Sequence, residues 1–165
     1  MQSIDLIREN LARSEAIVLS RIEEMRECCL VSPTPQGGCH TLWVLGHLAF
    51  IEAMVIQGIM RCRPNPLVEW EAMFDGAEIS GDAKRFPPFD QVLDTCRRMR
   101  ASTIARLDAS VESDLDVPAA NLPEGAANLF GTRRQCFQYA ADHWYMHRGQ
   151  LAEARRAAGL RRMWF

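Results

Sequence analysis

Residues 41–60 read TLWVLGHLAFIEAMVIQGIM, and this stretch decides the fold because it is apolar on both sides of a helix. At about 100° per residue, Trp43 shares the side of His47, whereas Leu45 lies roughly opposite. A helix that is apolar on both sides is expected to be buried on both sides. We predict that one side faces a bundle core and the other a long loop or a second subunit. We favour the second subunit, which would make the protein a homodimer.

The same stretch has the length of a membrane span, but its composition argues against one. His47 and Glu52 lie near its middle, where ionisable groups are costly in lipid. Neither end carries an aromatic belt or a clear basic flank. We therefore expect a buried helix of a soluble protein that has no membrane partner.

Three further segments have the apolar period of an amphipathic helix. They cover residues 3–30, 89–111 and 132–159. The last of them opens with Thr132 and Gln135, which have the spacing of a capping box. Together with the apolar stretch, these segments predict four long helices.

No segment has the alternation of a strand, and Pro- and Gly-rich connections separate the helices. The sequence therefore predicts an all-α four-helix bundle that forms one domain over residues 1–165. The connection between the second and third helices, residues 61–88, is long for a compact domain. Four of its residues have the spacing of a short helix that could lie over the bundle mouth: Leu67, Trp70, Met73 and Phe74.

Two histidines, His143 and His147, lie four residues apart before the helix breaker Gly149, so they share one face of the fourth helix. That face is otherwise of core character, and buried imidazoles need partners. A metal ion would satisfy both rings. Alternatively, one ring bonds a buried hydroxyl or carboxylate and the other reaches solvent at the bundle rim.

His47 supplies a third candidate ligand, because its apolar stripe on the second helix has no evident use for a polar group. Three neutral imidazoles from two facing helices would form a site with open coordination positions, as catalytic metals require. We therefore predict His47, His143 and His147 as metal ligands. The alternative for His47 is a core histidine satisfied by hydrogen bonds.

Tyr139 and Gln150 lie about one turn from the histidine pair on the same helix face. They are candidates for hydrogen bonds to the ligand histidines or for orienting a substrate, with ordinary packing as the alternative. His40 shares the angular position of His47 but lies about 10 Å away along the axis, so it ranks below the three predicted ligands.

Carboxylates are not expected at the site. Glu52 lies about 140° around the helix from His47, and Asp142 about 100° from His143. We expect Glu52 to face away, in a salt bridge or an interface, and we place no acid on the inner faces. Catalytic residues are therefore left unassigned.

The composition limits the possible partners and compartments. The net charge is -2 and the pI is about 6.1, so a phosphate-binding surface and nucleic acid are not expected. The six cysteines show no C-x-x-C spacing, and the N-terminus lacks the pattern of a signal peptide. We predict reduced thiols in a cytoplasmic protein.

Two motifs resemble those of the DinB/YfiT-like superfamily. Residues 43–52, WVLGHLAFIE, resemble its second-helix motif, and residues 143–151, HWYMHRGQL, its fourth-helix His-x-x-x-His-Arg-Gly-Gln motif. The resemblance implies a four-helix bundle, commonly dimeric, with zinc or nickel on His47, His143 and His147. Characterised relatives include thiol transferases that use bacillithiol or mycothiol, and a mycothiol-dependent maleylpyruvate isomerase.

The leading hypothesis is a metal-dependent enzyme that activates a low-molecular-weight thiol for transfer to a small-molecule substrate. A metal with open coordination lowers the pKa of a bound thiol or water, so the same site could serve a hydrolase. The missing acid or base counts against proteolysis-type zinc chemistry but not against thiol transfer. The alternative is a non-catalytic dimeric bundle that binds metal for stability or stress sensing, or that keeps the histidines as relics.

Overall fold

The computed structural model describes residues 2–76 and 79–161, and within these ranges it is helical and contains no strand. The all-α prediction is therefore confirmed. The predicted domain over residues 1–165 also includes residues 1, 77–78 and 162–165, which lie outside the described residues. The α-helices are α1 (Ser3–Glu23), α2 (Thr41–Ala53), α3 (Glu71–Phe74), α4 (Phe89–Asp108), α5 (Ala127–Phe130) and α6 (Arg133–Ala157).

The four long helices pack against one another around the core. α1 contacts α4 and α6, and α2 contacts the same two helices. α2 and α6 carry the three predicted ligand histidines, and their contact brings the two histidine motifs together.

The helix ends agree with the sequence pattern best where a cap marks them. Thr132 and Gln135 form the predicted capping box of α6, in which the Thr132 amide donates to Gln135 Oε1 at 2.9 Å. The first helix was expected to reach residue 30, but α1 ends at Glu23 and a 3₁₀ turn, Arg26–Cys28, follows. The apolar spacing continues through Met25, which is fully buried without being helical.

Every residue of α2 is buried, as its apolar pattern on both sides predicts. The helix continues as a π-helix over Met54–Ile59. α4 and α6 cover it, and α3 with the 3₁₀ turn Val68–Trp70 adds a further cover. Of the two covers considered for the far side of α2, a long loop or a second subunit, the structure contains the long loop. The burial of α2 therefore does not require a second subunit.

Among the described residues, one helix is long and apolar enough to span a membrane by length and composition, Thr41–Ile59, with a mean hydropathy of 1.6. Its most apolar window is 83% buried inside the fold. The rest of the chain therefore encloses it, as expected for the core helix of a folded domain.

The predicted short helix in the 61–88 connection is present as the turn Val68–Trp70 and α3. Trp70 and Phe74 are buried, and their ring centroids lie 5.0 Å apart. Phe86, from the end of the connection, packs on Phe74 with centroids 5.5 Å apart. These aromatic contacts hold the connection together, and α3 packs it against α2.

A buried ion pair and its hydrogen bonds join all four long helices. Arg100 of α4 contacts Glu52 of α2 at 2.9 Å, and the Trp144 indole of α6 donates to the same carboxylate at 2.8 Å. Arg100 also lies over the Trp144 ring at 4.1 Å from its centroid, and donates to the Leu11 and Ala140 carbonyls, both at 3.0 Å.

The prediction that Glu52 takes part in a salt bridge is confirmed, but the prediction that no acid lies on the inner faces is wrong. Glu52 is 2% exposed and lies in the core. Since α2 is enclosed on both sides, a side chain that points away from His47 still points into protein. Arg100, its partner, was not foreseen from the amphipathic pattern of α4.

Candidate metal centre

Three imidazoles converge between α2 and α6. His47, His143 and His147 expose 9%, 5% and 9% of their surface, and one ring nitrogen from each lies within 4.8 Å of the other two. The Nε2 atoms of His143 and His147 are 3.0 Å apart. The helical spacing places the pair one turn apart on α6, with the ring planes 76° apart, and the contact between the two helices adds the third ring. The structure therefore brings together all three residues that the sequence predicts as ligands.

Hydrogen bonds on the outer side of the cluster determine where two of the imidazole protons lie. His47 Nδ1 is 2.6 Å from the Phe74 carbonyl oxygen, and His147 Nδ1 is 2.5 Å from Gln150 Oε1. Both oxygens only accept, so each Nδ1 carries the proton and each Nε2 keeps a lone pair. Such outer hydrogen bonds orient metal-binding histidines and set their tautomer.

The two residues predicted beside the histidine pair have different roles. Gln150 contacts His147 through the hydrogen bond described above, as predicted. Tyr139 instead stacks on His143, with ring centroids 5.4 Å apart and planes 15° from parallel, and it packs edge-on against Phe130. For Tyr139 the structure therefore supports the packing alternative.

Burial keeps the three rings uncharged at neutral pH. It lowers the pKa of His143 to about 3 and of His147 to about 4, with a further decrease from neighbouring histidines. The pKa of His47 is also lowered by burial, against the opposing effects of the Phe74 carbonyl and Asp75. Neutral imidazoles are the form that binds metals, so no proton has to be displaced at pH 7.

His40 has a structural role, in keeping with its lower rank as a ligand. Its Nδ1 accepts a hydrogen bond from the Trp43 amide at 3.1 Å and so caps the N-terminus of α2. Its other ring nitrogen, Nε2, lies 2.9 Å from the Ser80 carbonyl, to which it donates. His40 thus uses one nitrogen to cap α2 and the other to hold this end of the helix to the 61–88 connection.

Two groups near the site were missed by sequence reasoning, the Phe74 carbonyl and the Asp75 carboxylate. Asp75 Oδ1 lies 3.7 Å from His47 Nδ1, and its side chain is 39% exposed. Every residue has a backbone carbonyl, so residue types cannot indicate which carbonyl reaches the site. Asp75 follows a short helix in a segment without clear periodicity. Asp142, by contrast, points to the surface and accepts a bond from Gln138 at 2.8 Å, as its angular position predicts.

The donor set fits a divalent metal ion. The described residues contain one group of three or more His, Cys, Asp or Glu side chains with ligand atoms this close, and it consists of these three histidines alone. Three imidazoles suit zinc, nickel, copper or iron, and they leave coordination positions free for a ligand from solution.

The fold and the site together define an all-helical protein with a buried three-histidine cluster able to hold a metal ion. The chain belongs to the DinB superfamily, whose family model matches residues 10–151. That range includes all three histidines as well as Tyr139 and Gln150. No curated protein and no solved structure matches the chain significantly.

Proposed function

We propose that the protein binds one divalent metal ion, zinc or nickel, through His47, His143 and His147, and uses it to activate a small thiol for transfer to an electrophilic small molecule. The observation that carries the proposal is the convergence of three neutral imidazoles, two of them held in the tautomer that leaves a lone pair on Nε2. A site with three protein ligands keeps at least one position for an exogenous group, which is typical of catalytic metals.

When bound, such an ion lowers the pKa of a coordinated thiol and makes it a nucleophile at neutral pH. The chain's own residues hold the three rings in position and limit the access of water. Trp43 stacks on His47, with ring centroids 4.5 Å apart and planes at 12°, and closes one side of the cluster. Phe74 covers the His47 Nδ1 side.

The thiol has to come from solution. Cys96 and Cys136 are buried, and burial raises the pKa of both thiols, that of Cys136 to about 11. Cys136 donates to the Phe130 carbonyl. None of the six cysteines belongs to the cluster of potential ligands, including the less buried Cys28, Cys29, Cys39 and Cys62. The internal cysteines are therefore unsuited to act as the nucleophile.

The hydrolase alternative has less support from the chain's own residues. The Asp75 carboxylate lies 3.7 Å from His47 Nδ1, on the outer side of the ring and away from Nε2. A base at that position is not within hydrogen-bond reach of water on the metal-binding side, and water activation needs such a base more than thiol transfer does.

An assay of the metal-loaded protein with a generic electrophile, with and without several low-molecular-weight thiols, separates these functions. Thiol-dependent conjugation that is absent in the His47→Ala, His143→Ala, His147→Ala triple variant supports the transferase. Turnover of ester substrates without thiol supports the hydrolase. Stoichiometric metal with neither activity supports the non-catalytic metal-binding bundle for stability or stress sensing.

We also propose that the four long helices form the four-helix bundle of the DinB/YfiT type, and that the protein acts as a cytoplasmic homodimer without nucleic acid or membrane partners. The family resemblance supports the first and second points, and the net charge of -2 argues against polyanion binding. Light scattering at micromolar concentration tests the dimer. The monomer mass of 18.7 kDa would contradict it.

A further inference from the structure

The 61–88 connection does more than cover α2, because one part of it reaches a predicted metal ligand. This part consists of residues 67–75. Its Phe74 carbonyl accepts a hydrogen bond from His47 Nδ1 at 2.6 Å, and Asp75 Oδ1 lies 3.7 Å from the same nitrogen. His47 therefore depends for its tautomer on a segment that follows it by nearly thirty residues in the chain.

The side chain of Phe74 packs directly against Gly46, the residue just before His47. A Cβ atom at position 46 would lie 2.2 Å from Phe74 Cε1 and 2.3 Å from Cδ1, far inside van der Waals contact. Only glycine allows the ring to lie where it does. The close approach explains why a helix that is otherwise buried and apolar contains a glycine at this position.

The ring of Phe74 has little freedom to move aside. It is fully buried, with Trp70 at 5.0 Å and Phe86 at 5.5 Å between ring centroids. A side chain at position 46 would therefore have to push residue 74 away from α2 as a whole. Since the ring and the carbonyl belong to one residue, this movement would also withdraw the acceptor from His47.

We propose that Gly46 and Phe74 are positioning residues for the metal ligand His47. Gly46 leaves the space that the Phe74 ring occupies. The packed ring brings the Phe74 carbonyl to His47 Nδ1. The hydrogen bond to this carbonyl keeps the Nε2 lone pair of His47 directed at the other two imidazoles. Asp75 reinforces the same tautomer electrostatically. This proposal rests on the proposed function, because it takes His47 as a metal ligand. Neither Gly46 nor Phe74 would contact the metal itself.

The first test measures zinc affinity by competition with a chromophoric chelator at pH 7. Gly46→Ala is expected to weaken zinc binding by about 10- to 100-fold, the usual effect of losing an outer hydrogen bond to a metal ligand. Gly58→Ala is the matched control, since a Cβ there meets nothing within 4 Å. Adding Phe74→Leu to Gly46→Ala shortens the side chain that meets the new methyl group and is expected to restore part of the affinity.

The second test starts with the wild-type protein, so its first result does not depend on a variant that folds. Imidazole ¹⁵N NMR of the metal-free protein is expected to show His47 protonated on Nδ1 and unprotonated on Nε2, with a slowly exchanging N–H. In Gly46→Ala the His47 signals should shift towards a mixture of tautomers, whereas Gly58→Ala should match the wild type.

Two results would overturn the inference: a wild-type His47 that carries its proton on Nε2, or a folded Gly46→Ala protein with wild-type zinc affinity and tautomer. A wild-type protein that binds no zinc would instead refute the proposed function. The NMR measurement on metal-free protein still decides whether Gly46 and Phe74 position the ring.

Discussion

Within the described residues, α2 and α6 both contribute to each of two buried polar clusters. In the first, His47 of α2 meets His143 and His147 of α6. In the second, Glu52 of α2 meets Trp144 of α6, with Arg100 of α4 between them. The residues of each helix lie close together in sequence, yet the two clusters use their hydrogen-bonding groups in opposite ways.

The ion pair directs its polar groups at one another. Arg100 donates to Glu52 and to two backbone carbonyls, and Trp144 donates to Glu52. The histidine cluster directs two of its N–H groups outwards, to Phe74 and Gln150, and keeps lone pairs on the inner side. A buried charge that meets its counter-charge thus indicates structure, whereas buried imidazoles that converge with their outer nitrogens already bonded indicate a binding site.

The largest effect on stability is expected from breaking the ion pair. Glu52→Ala leaves the Arg100 guanidinium buried without its counter-charge, which costs about 3–5 kcal/mol of unfolding free energy. Urea denaturation of metal-free protein measures the loss. Glu23→Ala, which removes the carboxylate of the exposed Arg97 pair, is the control and should cost no more than about 1 kcal/mol. Equal losses in the two variants would show that the buried pair has no special role.

Acid should destabilise the protein through the histidine cluster. The folded-state pKa values of His143 and His147, about 3 and about 4, lie below the unfolded value of 6.5, so the unfolded chain binds more protons below pH 6.5. Stability is therefore full above pH 6.5 and falls as the pH decreases towards 4, by about 2 kcal/mol for each of these histidines between pH 7 and 5.

This pH dependence is measured by urea denaturation of metal-free protein at pH 7, 6 and 5. The triple histidine-to-alanine variant is the control and should lose much less over the same range. If its stability fell in parallel with the wild type, the acid sensitivity would have to come from other groups.

Zinc should stabilise the protein only through the histidine cluster. At a zinc concentration about 100-fold above Kd, the wild type should gain about 2.7 kcal/mol, because the ligand binds the folded state alone. The triple histidine variant should fold when metal-free and show no gain in thermal unfolding experiments. A comparable shift in that variant, together with unchanged bound metal by elemental analysis, would place the metal elsewhere.

The smallest effect is expected from the outer hydrogen bond of His147. Gln150→Ala should weaken zinc binding by about 10-fold, the lower end for an outer partner of a ligand, because His147 then loses the acceptor that sets its tautomer. Gln138→Ala, whose amide bonds the exposed Asp142, serves as the control on the same helix. Identical affinities in chelator competition for both variants would assign Gln150 no role at the site.

Local spacing made the histidine cluster predictable. The pair on α6 follows from the four-residue interval, and His47 from its place on an apolar helix stripe. The angular position of Glu52 was also correct, since it does point away from His47. Its burial was not predictable, because that depends on the chain segments that cover the far side of α2.

The sequence by itself determined the helical class, the long helices and the three histidines, because each follows from the period of a helix within a few turns. The tertiary structure decided what lies opposite each helix face. It paired Glu52 with Arg100 and closed α2 with the chain's own connection. It also placed Phe74 on Gly46, so that a backbone carbonyl reaches His47. These contacts join residues far apart in the chain, and their partners are set by packing, which no local periodicity encodes.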